Sequence, residues 1–512
     1  MFCRILSGGV VGVEADFVRV EVDIDRGLPS FVMVGSLGSE VRESRERVSV
    51  ALKNAGFAIP AAHITINLAP ADRRKEGTAF DLPIAVGILQ SMSFFSETAT
   101  RDILFLGELG LNGELKKVKG VLPIVRAAAA AGIAQCIVPA ANAGEGAVIP
   151  GITVRGAENI LQVNAFLREP DGHAREEILP AARTDVEELL HSASYSGEDF
   201  AQVSGQKQAK RAAEIAAAGF HSLLMTGPPG AGKSMIARRI PGILPPLTRE
   251  ESLEITGIYS VAGLLEEGQA LVVNRPFQSP HHTISRSALI GGSFHPRPGL
   301  ISLSHRGVLF MDELPEFGRE VIDSMRQPLE EHRVQIARLG GNLVYPADFM
   351  LVGAMNLCPC GYFPDRNRCK CTETQLRKYQ GRISGPIVDR IDLWVELQPV
   401  ELSGLQTTGD EETTQRIRGR VENARARQQE RFAGGSYRFN ADIQAADMDR
   451  FCSLGSKEKR IMEQLYDGLR LGARAYHRIL RVARTIADLA GADEIREEDL
   501  LEAAVYRPGG GA

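Results

Sequence analysis

The sequence predicts an α/β protein in which a parallel-sheet core with a helical C-terminal lid follows an α+β domain. Three observations support this prediction. The apolar segment 223–225 runs into a glycine-rich turn, and a helix-like segment follows from Met235. A second apolar segment, 308–311, ends in two acidic residues. Beyond Leu405 the chain has helical periodicity almost to its end.

Composition narrows the class of protein. With 512 residues, 44% of them hydrophobic and 24% charged, the chain can bury more than one core. The net charge of −5 excludes a generally basic coat, so any contact with nucleic acid must come from local patches. The sequence has no apolar run of membrane-spanning length, and its first residues lack the layout of a secretory signal. We therefore expect a cytoplasmic protein without a membrane partner.

The glycine-rich turn has the composition of a phosphate-binding loop. Its residues are Gly227, Pro228, Pro229, Gly230, Ala231, Gly232, Lys233 and Ser234. Glycine lets backbone N–H groups converge on an anionic oxygen, and the following helix adds the positive end of its dipole. Lys233 can reach the β- and γ-phosphates of ATP, and the Ser234 hydroxyl can hold Mg²⁺. A turn without a ligand is the alternative, which the flanking strand and helix disfavour.

Asp312 and Glu313 follow a buried strand, at the end where ligands collect in parallel sheets. Asp312 would orient Mg²⁺ through its water shell, and Glu313 would polarise the attacking water. Either acid alone could instead cap the next helix. A third apolar segment, 349–355, ends at Asn356, whose amide would lie beside the γ-phosphate and help to position that water.

Arg390 stands in a short acidic setting before the strand-like segment 393–397. An arginine here could complete the site of a neighbouring subunit, because it would neutralise charge that develops during phosphoryl transfer. A surface ion pair between Arg390 and Asp392 fits the spacing equally well. The sequence leaves both interpretations open.

Four of the seven cysteines are clustered just after Asn356, namely Cys358, Cys360, Cys369 and Cys371. Two cysteine pairs on short loops can surround Zn²⁺ with four thiolates, and such a closed shell would serve structure. The Cys-x-Cys spacing is tighter than in most zinc sites, so free or redox-active thiols are the alternative.

In chain order, the phosphate loop, the Asp312–Glu313 doublet, Asn356 and Arg390 resemble the motifs of AAA+ ATPases. The segment Pro-Phe-Gln-Ser-Pro-His-His-Thr-Ile-Ser, which starts at Pro276, is similar to the insert of the magnesium-chelatase-like branch, the family of competence protein ComM, also called YifB. This resemblance implies an ATP-driven hexameric ring that moves on DNA, as a helicase or branch-migration factor. Its setting would be recombination of incoming DNA during natural transformation, with recombination proteins as candidate partners.

The same resemblance implies roles for individual residues. Asn356 would be sensor 1, and Arg390 would be the arginine finger supplied in trans. Arg474 would be sensor 2, the lid arginine that touches the γ-phosphate, with Arg478 as the rival assignment.

Two groups of basic residues could contact phosphates. The insert, 275–306, would face the pore of the ring and carries Arg275, His281, His282, Arg286, His295 and Arg297. Each of these could equally be a surface charge. The helical segment 413–431 carries a stripe of Arg416, Arg420, Arg427 and Arg431, suited to contact with DNA or another subunit, or simply a solvated face.

The front of the chain alternates strand-like and helix-like segments and has no phosphate loop of its own. Segments 75–81 and 107–139 resemble the proteolytic domain of the Lon family, which implies a fold like domain 2 of ribosomal protein S5. Ala79 stands where Lon has its nucleophilic serine, and Leu122 stands near the position of its lysine base. Neither side chain can attack a carbonyl or accept a proton, so we expect a non-proteolytic domain for packing, partner contact or DNA contact.

The expected domains are therefore 1–167 for the Lon-like domain, 168–198 for an acidic linker, 199–402 for the AAA+ core and 403–512 for the lid. The core includes the basic insert and the cysteine cluster at 358–371. The expected function is an ATP-dependent DNA motor. The alternatives are a magnesium-chelatase-type metal-insertion subunit and a protein-remodelling ATPase or ATP-gated scaffold. A Lon-like front half is not expected of a chelatase subunit.

Overall fold

The computed structural model describes residues 2–192, 197–292, 297–338, 341–399 and 412–507. Its strands are β1 Phe2–Val11, β2 Glu14–Asp25, β3 Ser30–Val34, β4 His63–Ala69, β5 Ile103–Phe105, β6 Glu108–Leu109, β7 Leu115–Lys116, β8 Gln135–Pro139, β9 Thr153–Ala157, β10 Leu223–Thr226, β11 Phe277–Gln278, β12 Val308–Met311, β13 Arg333–Arg338, β14 Gly341–Pro346, β15 Met350–Met355 and β16 Leu393–Glu396.

The α-helices of these described ranges alternate with the strands in the first half of the chain and dominate the last quarter. They are α1 Ser39–Asn54, α2 Asp81–Ser91, α3 Val121–Ala130, α4 Ala140–Ala147, α5 Ile160–Arg168, α6 Gly172–Ile178, α7 Val186–His191, α8 Lys207–Gly219, α9 Lys233–Ile243, α10 Arg249–Ala262, α11 Arg286–Ile290, α12 Leu300–Leu303, α13 Arg319–Ser324, α14 Arg326–Glu331, α15 Glu373–Gln380, α16 Gly385–Val388, α17 Thr414–Arg431, α18 Met448–Phe451, α19 Ser456–Gly468, α20 Ala473–Leu489 and α21 Glu497–Val505.

The front domain is built on a seven-stranded mixed sheet of order β3-β4-β2-β1-β5-β8-β9. Strands β1 and β2 form a long antiparallel pair from Phe2↔Asp23 to Val11↔Glu14. The alternation of valines along β2 places Val18, Val20 and Val22 in the core, as the period of two requires. Helix α2 is buried along its whole length. The predicted α+β class of this domain is confirmed.

The positions of the Lon catalytic pair are apolar in three dimensions as well as in sequence. Ala79 and Leu122 belong to one hydrophobic cluster of the front domain. Helix α10 of the following domain contributes Leu253 to the same cluster. A Cβ placed on Gly257 of that helix would lie 3.7 Å from Leu122 Cδ2. Helix α10 therefore covers the position of Leu122.

Polar contacts seal this junction between the front domain and α10. Lys117 Nζ donates to the carbonyls of Leu265 and Glu266, at 2.7 Å and 2.9 Å. The buried Ser260 hydroxyl donates to the Glu145 carboxylate, which also accepts from the backbone N–H of Leu122 at 3.0 Å. Buried polar groups on both sides are thus satisfied across the junction, which fixes the two domains against each other.

The segment expected to be an acidic linker is folded onto the front domain over much of its length. It contains α6 and α7. Leu179 and Val186 are buried in the hydrophobic clusters of the front domain. Arg155 of β9 forms a 2.7 Å ion pair with Glu176. Residues 193–196 of this segment lie outside the described ranges.

The second domain has five parallel strands in the order β11-β12-β15-β10-β16. Leu223, at the start of β10, pairs with Val352 of β15 on one side and with Leu393 of β16 on the other. Since all strands run the same way, the carboxyl ends of β10, β12 and β15 meet at one edge. The phosphate loop, Asp312 and Asn356 each follow one of these three ends, so the fold brings them together.

The C-terminal domain is helical, as the periodicity predicts. Helix α17 packs against α8, α9 and α20. Its arginine stripe is mostly occupied by ion pairs within the chain. Arg420 pairs with Glu214 and Glu412, Arg427 with Asp493, and Arg431 with Asp488. Arg420 joins the lid to α8 through Glu214, whereas the partners of Arg427 and Arg431 lie within the lid itself. Three of the four arginines of the stripe are therefore already paired within the chain, and Arg416 is exposed.

Among the described residues, the structure has no helix with the length and apolar content needed to cross a membrane.

Candidate nucleotide site

The turn after β10 has the backbone shape of a phosphate-binding loop. Gly230 and Gly232 have φ values of +78° and +93°, which side chains rarely allow, and a Cβ on either would meet open space. A Cβ on Gly227 would lie 2.6 Å from the Leu397 carbonyl oxygen. Helix α9 begins directly after the turn, at Lys233. The glycines thus shape an open concave backbone at a helix N-terminus, the site type that binds phosphate.

Lys233 points back across this loop. Its ammonium donates to the carbonyls of Gly227 and Pro228 at 2.8 Å and 2.9 Å, and to Asn356 Oδ1 at 3.1 Å. Burial lowers the pKa of Lys233, and the nearby negative charges of Asp312 and Glu313 oppose that effect. Asn356 therefore lies where the sequence placed it, beside the lysine of the loop.

Ser234 and Asp312 form the other half of the site. The Ser234 hydroxyl donates to Asp312 Oδ2 at 2.8 Å, and Asp312 Oδ1 accepts from the backbone N–H of Glu313 at 3.0 Å. A hydroxyl and a carboxylate at this distance offer oxygen ligands of the kind that Mg²⁺ prefers. The open loop, the buried ammonium and this oxygen pair together fit Mg²⁺-ATP.

Glu313 has a φ of +50°, in the left-handed region, and its side chain is 58% exposed. Its Oε2 lies 3.7 Å from Nδ1 of His282, which comes from the basic insert. The sequence predicted phosphate contact or a surface charge for His282 and did not predict Glu313 as its neighbour. The signal was available, because 277–278 is a short strand-like pair preceding the histidines by the same spacing that separates 308–309 from Asp312 and Glu313.

Arg390 lies near the amino ends of the parallel strands, whereas the phosphate loop lies at their carboxyl ends. Leu393 opens β16 beside Leu223, whereas the loop follows Thr226 at the far end of β10. Three residue steps along a strand separate these levels by roughly 10 Å. The Arg390 guanidinium donates to Glu330 and to the Pro386 carbonyl. It is therefore turned away from the phosphate loop of its own chain.

Asp392 does not form the predicted alternative ion pair with Arg390 within the described part of the chain. It lies 3.3 Å from His221 and 3.5 Å from Arg481 instead. Burial alone would raise the pKa of Asp392, but the hydrogen bond from His221 and the charge of Arg481 lower it to about 2.

Arg474 and Arg478 accompany Arg390 at this edge. Arg474 Nη1 lies 3.7 Å from Asp389 Oδ2 and is 71% exposed, whereas the buried Arg478 donates to the Asp389 carbonyl at 2.9 Å. Arg390 and Arg474 line one cavity of about 400 Å³. Within one chain Arg474 therefore lies away from the phosphate loop, near the start of β16, and its assignment as sensor 2 stays a prediction.

The basic insert is divided by the structure into a buried and an exposed part. Arg275 is enclosed in a 3.0 Å ion pair with Glu251 and donates to the carbonyls of Pro245 and Arg306, so it is not free for phosphate contact. His281, Arg286 and Arg297 are exposed. His295 lies outside the described residues.

The four clustered cysteines converge after β15. The sulfur atoms of Cys358, Cys360, Cys369 and Cys371 all lie within 4.8 Å of one another. Cys358 Sγ is 3.3 Å from that of Cys360 and 3.8 Å from that of Cys369, and the four are free thiols. Cys358 Sγ also accepts from the backbone N–H of Phe363 at 3.3 Å. The cluster is compatible with a tetrahedral metal ion.

Strand order, phosphate loop, acidic strand end and helical lid define the second and third domains as an ATPase of the AAA+ class. Models of known families match most of the chain. The model described as "Magnesium chelatase, subunit ChlI" matches residues 199–405. That of "Subunit ChlI of Mg-chelatase" matches 20–142, and that of "Magnesium chelatase, subunit ChlI C-terminal" matches 411–507.

Relatives that align with nearly the whole chain identify the branch of the family. Competence protein ComM of Haemophilus influenzae is 41% identical over 510 residues, which covers 98% of this chain and 97% of the relative. The YifB protein of Escherichia coli is 40% identical over 499 residues, or 97% of this chain and 95% of the relative. Lon protease 2 of Thermus thermophilus is 32% identical over 146 residues, only 27% of this chain and 18% of that protein. The chain belongs to the magnesium-chelatase-like AAA+ family of ComM and YifB.

Proposed function

We propose that this chain is the subunit of an ATP-hydrolysing hexameric ring that moves on DNA and drives branch migration when incoming DNA recombines during natural transformation. One observation carries the proposal. Lys233 is hydrogen-bonded to Asn356, and Ser234 to Asp312, at the carboxyl ends of the parallel strands, while Arg390 stands near their amino ends. Such a subunit has half of an ATPase site on each of two faces.

Bound Mg²⁺-ATP supplies the phosphoanhydride whose hydrolysis releases the energy. Lys233 would exchange its loop carbonyls for β- and γ-phosphate oxygens, and the Ser234–Asp312 pair would hold the magnesium ion. The carboxylate of Glu313 would take a proton from the attacking water, and the amide of Asn356 would orient that water.

A subunit with the phosphate loop on one face and Arg390 on another can complete its ATPase sites by forming a ring. A head-to-tail interface repeated around a closed ring would bring Arg390 and Arg474 of one subunit to the phosphate loop of the next. Their cations would there neutralise the charge that develops on the γ-phosphate during transfer. Arg474 would then act in trans together with Arg390, rather than on the nucleotide of its own chain.

Two features support DNA as the substrate on which the ring moves. The relative from Haemophilus influenzae is named for competence. The insert presents His281, Arg286 and Arg297 at the surface, where cationic and hydrogen-bonding side chains suit phosphate contact. Partner recombination proteins would meet the ring on its outer domains.

We also propose that the cysteine cluster holds one structural Zn²⁺ per chain. Four thiolates at about 2.3 Å from a tetrahedral zinc ion are about 3.8 Å apart. The Cys358–Cys369 and Cys360–Cys369 separations of 3.8 Å and 3.6 Å match this spacing, and a disulfide would require about 2 Å. Four protein ligands leave no position for chemistry at the metal.

The function is tested by measuring ATP turnover against single-stranded, double-stranded, forked and four-way DNA, with the subunit mass determined with and without nucleotide. We expect stimulation by branched or single-stranded DNA, a nucleotide-dependent ring, and branch migration in a gel assay. Turnover that ignores every DNA structure would overturn the DNA motor. Stimulation by a tetrapyrrole–metal system or by an unfolded protein would instead favour the chelatase or protein-remodelling alternatives.

A further inference from the structure

The cysteine loop, residues 358–371, carries aromatic and basic side chains beside its four thiols. Tyr362 is 38% exposed, and the guanidinium carbon of the exposed Arg368 lies 4.2 Å from the centre of its ring. Phe363 is half-buried against the small cluster around Cys358, with the Arg366 guanidinium 5.0 Å from its ring centre. Phe363 therefore supports the loop from inside, whereas the Tyr362–Arg368 stack faces solvent.

The charge of this region is opposite in sign to that of the whole chain. Residues 358–382 contain six Arg and Lys residues and two acidic residues, in a chain of net charge −5. Arg366, Arg368 and Lys370 are exposed, and within the described ranges none of the three forms an ion pair with a carboxylate. Arg366 donates instead to the Cys371 carbonyl at 3.3 Å. Unpaired cations beside an exposed ring are the combination that binds the backbone and bases of a single nucleic-acid strand.

We propose that the Tyr362–Arg368 stack and Lys370 form a binding site for single-stranded DNA, separate from the basic insert. This inference rests on the proposed DNA motor and adds a second place where DNA meets the subunit. An unpaired base would extend the stack on its exposed side, while Arg366 and Lys370 would contact phosphates. Duplex DNA offers no free base face to such a stack, and an acidic peptide would use the cations but not the ring.

The position of the cysteine loop suits a strand that also reaches the insert. The loop follows β15 and the exposed part of the insert follows β11, with β12 between them, so both leave the parallel sheet at its carboxyl ends. Two strand spacings amount to about 10 Å, which a few nucleotides of one strand can cover. The loop also begins two residues after Asn356, which accepts a hydrogen bond from Lys233. DNA held on the loop would therefore adjoin the nucleotide site.

The experiment measures the binding of two fluorescent probes to the full-length protein by anisotropy: oligothymidine and an abasic strand of equal length. Tyr362→Ala is expected to raise the Kd for oligothymidine about tenfold and to leave the Kd for the abasic strand unchanged, because the ring contacts a base. Tyr362→Phe keeps the ring and should bind as the wild type does. Tyr466→Ala, at an exposed tyrosine of α19, is the matched control.

Lys370→Gln should weaken the binding of both probes about threefold and reduce the slope of log Kd against log salt by about 0.7, because the ammonium contacts a phosphate. Lys457→Gln is its control, since the Lys457 ammonium is paired with Glu497 at 2.6 Å. Photocrosslinking locates the site without any variant. A strand that contains 5-iodouracil should crosslink to Tyr362 of the wild-type protein, as identified by mass spectrometry of its peptides.

The outcomes separate this site from the function on which it rests. If the wild type binds oligothymidine but no crosslink forms at Tyr362, and Tyr362→Ala and Lys370→Gln bind equally well, the site is overturned and the DNA motor stands. If binding depends on Tyr362 but ATP turnover ignores DNA, the motor is wrong and the site stands. If polyglutamate binds through Lys370 and oligothymidine does not bind, an acidic protein replaces DNA as the partner and the proposal is overturned.

Discussion

Gly361, in the cysteine loop, lies directly against Pro229 of the phosphate loop. A Cβ placed on Gly361 would be 2.6 Å from Pro229 Cγ and 2.7 Å from its Cδ, and the φ of Gly361 is +83°. The neighbouring residue Cys360 belongs to the thiol cluster. The loop that would hold zinc is therefore one wall of the nucleotide pocket.

Gly361→Ala should weaken nucleotide binding. The new methyl group must push Pro229 aside, and the alanine must keep a positive φ. Together these two effects should raise the Kd for a fluorescent ATP analogue about tenfold. Titration of the analogue measures this, and the zinc content should stay unchanged. Gly419→Ala is the control, because a Cβ there meets open space. An unchanged Kd in Gly361→Ala would mean that the two loops do not depend on each other.

Removal of the metal should have a related effect. Mercurial titration of the thiols, or Cys358→Ser, is expected to release one Zn²⁺ per chain, measured by elemental analysis, and to weaken ATP binding because the loop loses its clamp. Cys3→Ser is the control, since a hydroxyl there can keep the hydrogen bonds to Gly87 and Ser91. Metal-free protein with full affinity for ATP would argue against a structural role for the cluster.

Glu313→Gln should bind ATP with wild-type affinity but hydrolyse it at least 100-fold more slowly, because a carboxamide cannot take a proton from water. Single-turnover hydrolysis and nucleotide titration separate the two effects. Glu316→Gln changes a nearby carboxylate that pairs with Arg382, and it should leave turnover close to normal. Normal turnover in Glu313→Gln would assign the base to another residue.

Arg390→Ala should leave the ATP affinity of an isolated subunit intact and reduce turnover of the ring by about 10³-fold, since the arginine acts on the neighbouring subunit. Rings mixed from wild-type and mutant chains should lose activity in proportion to the number of broken interfaces. The control is Arg377→Ala, at an exposed arginine whose ion pair with Glu373 is 3.8 Å long. Rings mixed from Arg390→Ala and Lys233→Ala chains should regain turnover, because the second chain supplies the arginine to the intact phosphate loop of the first. No turnover at any mixing ratio would contradict a role in trans.

Asp348→Asn should destabilise the core in a pH-dependent manner. Burial opposes ionisation of Asp348, but the hydrogen bond from His332 and the charge of Arg306 lower its pKa from the ordinary 3.8 to about 2. A lowered pKa contributes stability above pH 4 that is lost as the pH falls toward 2. The substitution should cost about 2 kcal/mol at neutral pH, because the buried Arg306, which also pairs with Glu254 at 3.0 Å, loses one of its two carboxylate partners.

Unfolding of wild type and Asp348→Asn at pH 7 and pH 3 tests this, and the gap in thermal midpoint should narrow at the lower pH. Asp467→Asn, at an exposed acid of α19, should show no such gap. A gap that is independent of pH would remove the ionised carboxylate from the explanation.

Local sequence patterns predicted the positions of helices and strands, and they predicted which residues lie together at the carboxyl ends of the parallel strands. The sequence of helix α1 marks its own bounds, because its apolar residues recur at helical spacing and Gly56 follows its end. Asn356 and Asp312 could be placed beside the phosphate loop because each ends a parallel strand. The rule that parallel strands deliver their carboxyl ends to one edge needs no knowledge of side-chain packing.

The acidic residue with which each arginine forms an ion pair could not be predicted in the same way. Arg275 and Arg286 look alike in sequence, yet Arg275 is buried against Glu251, which is 24 residues away. The arginines of α17 likewise find acids from distant helices. The position of Arg474 could not be predicted either, because the docking of the lid is set by tertiary contacts among α8, α17 and α20 that no local pattern records. Such ion pairs depend on long-range geometry, whereas the motifs depend on spacing.

The packing of helix α10 over Leu122 affects how truncated forms of this protein would behave. Helix α10 and the segment after it lend Leu253 and Leu271 to the hydrophobic cluster of the front domain. An ATPase fragment lacking residues 1–167 would expose these apolar side chains to water and should self-associate. Sedimentation of that fragment could not be distinguished from ring assembly. A partner bound to the front domain would therefore be held rigidly against the ATPase domain.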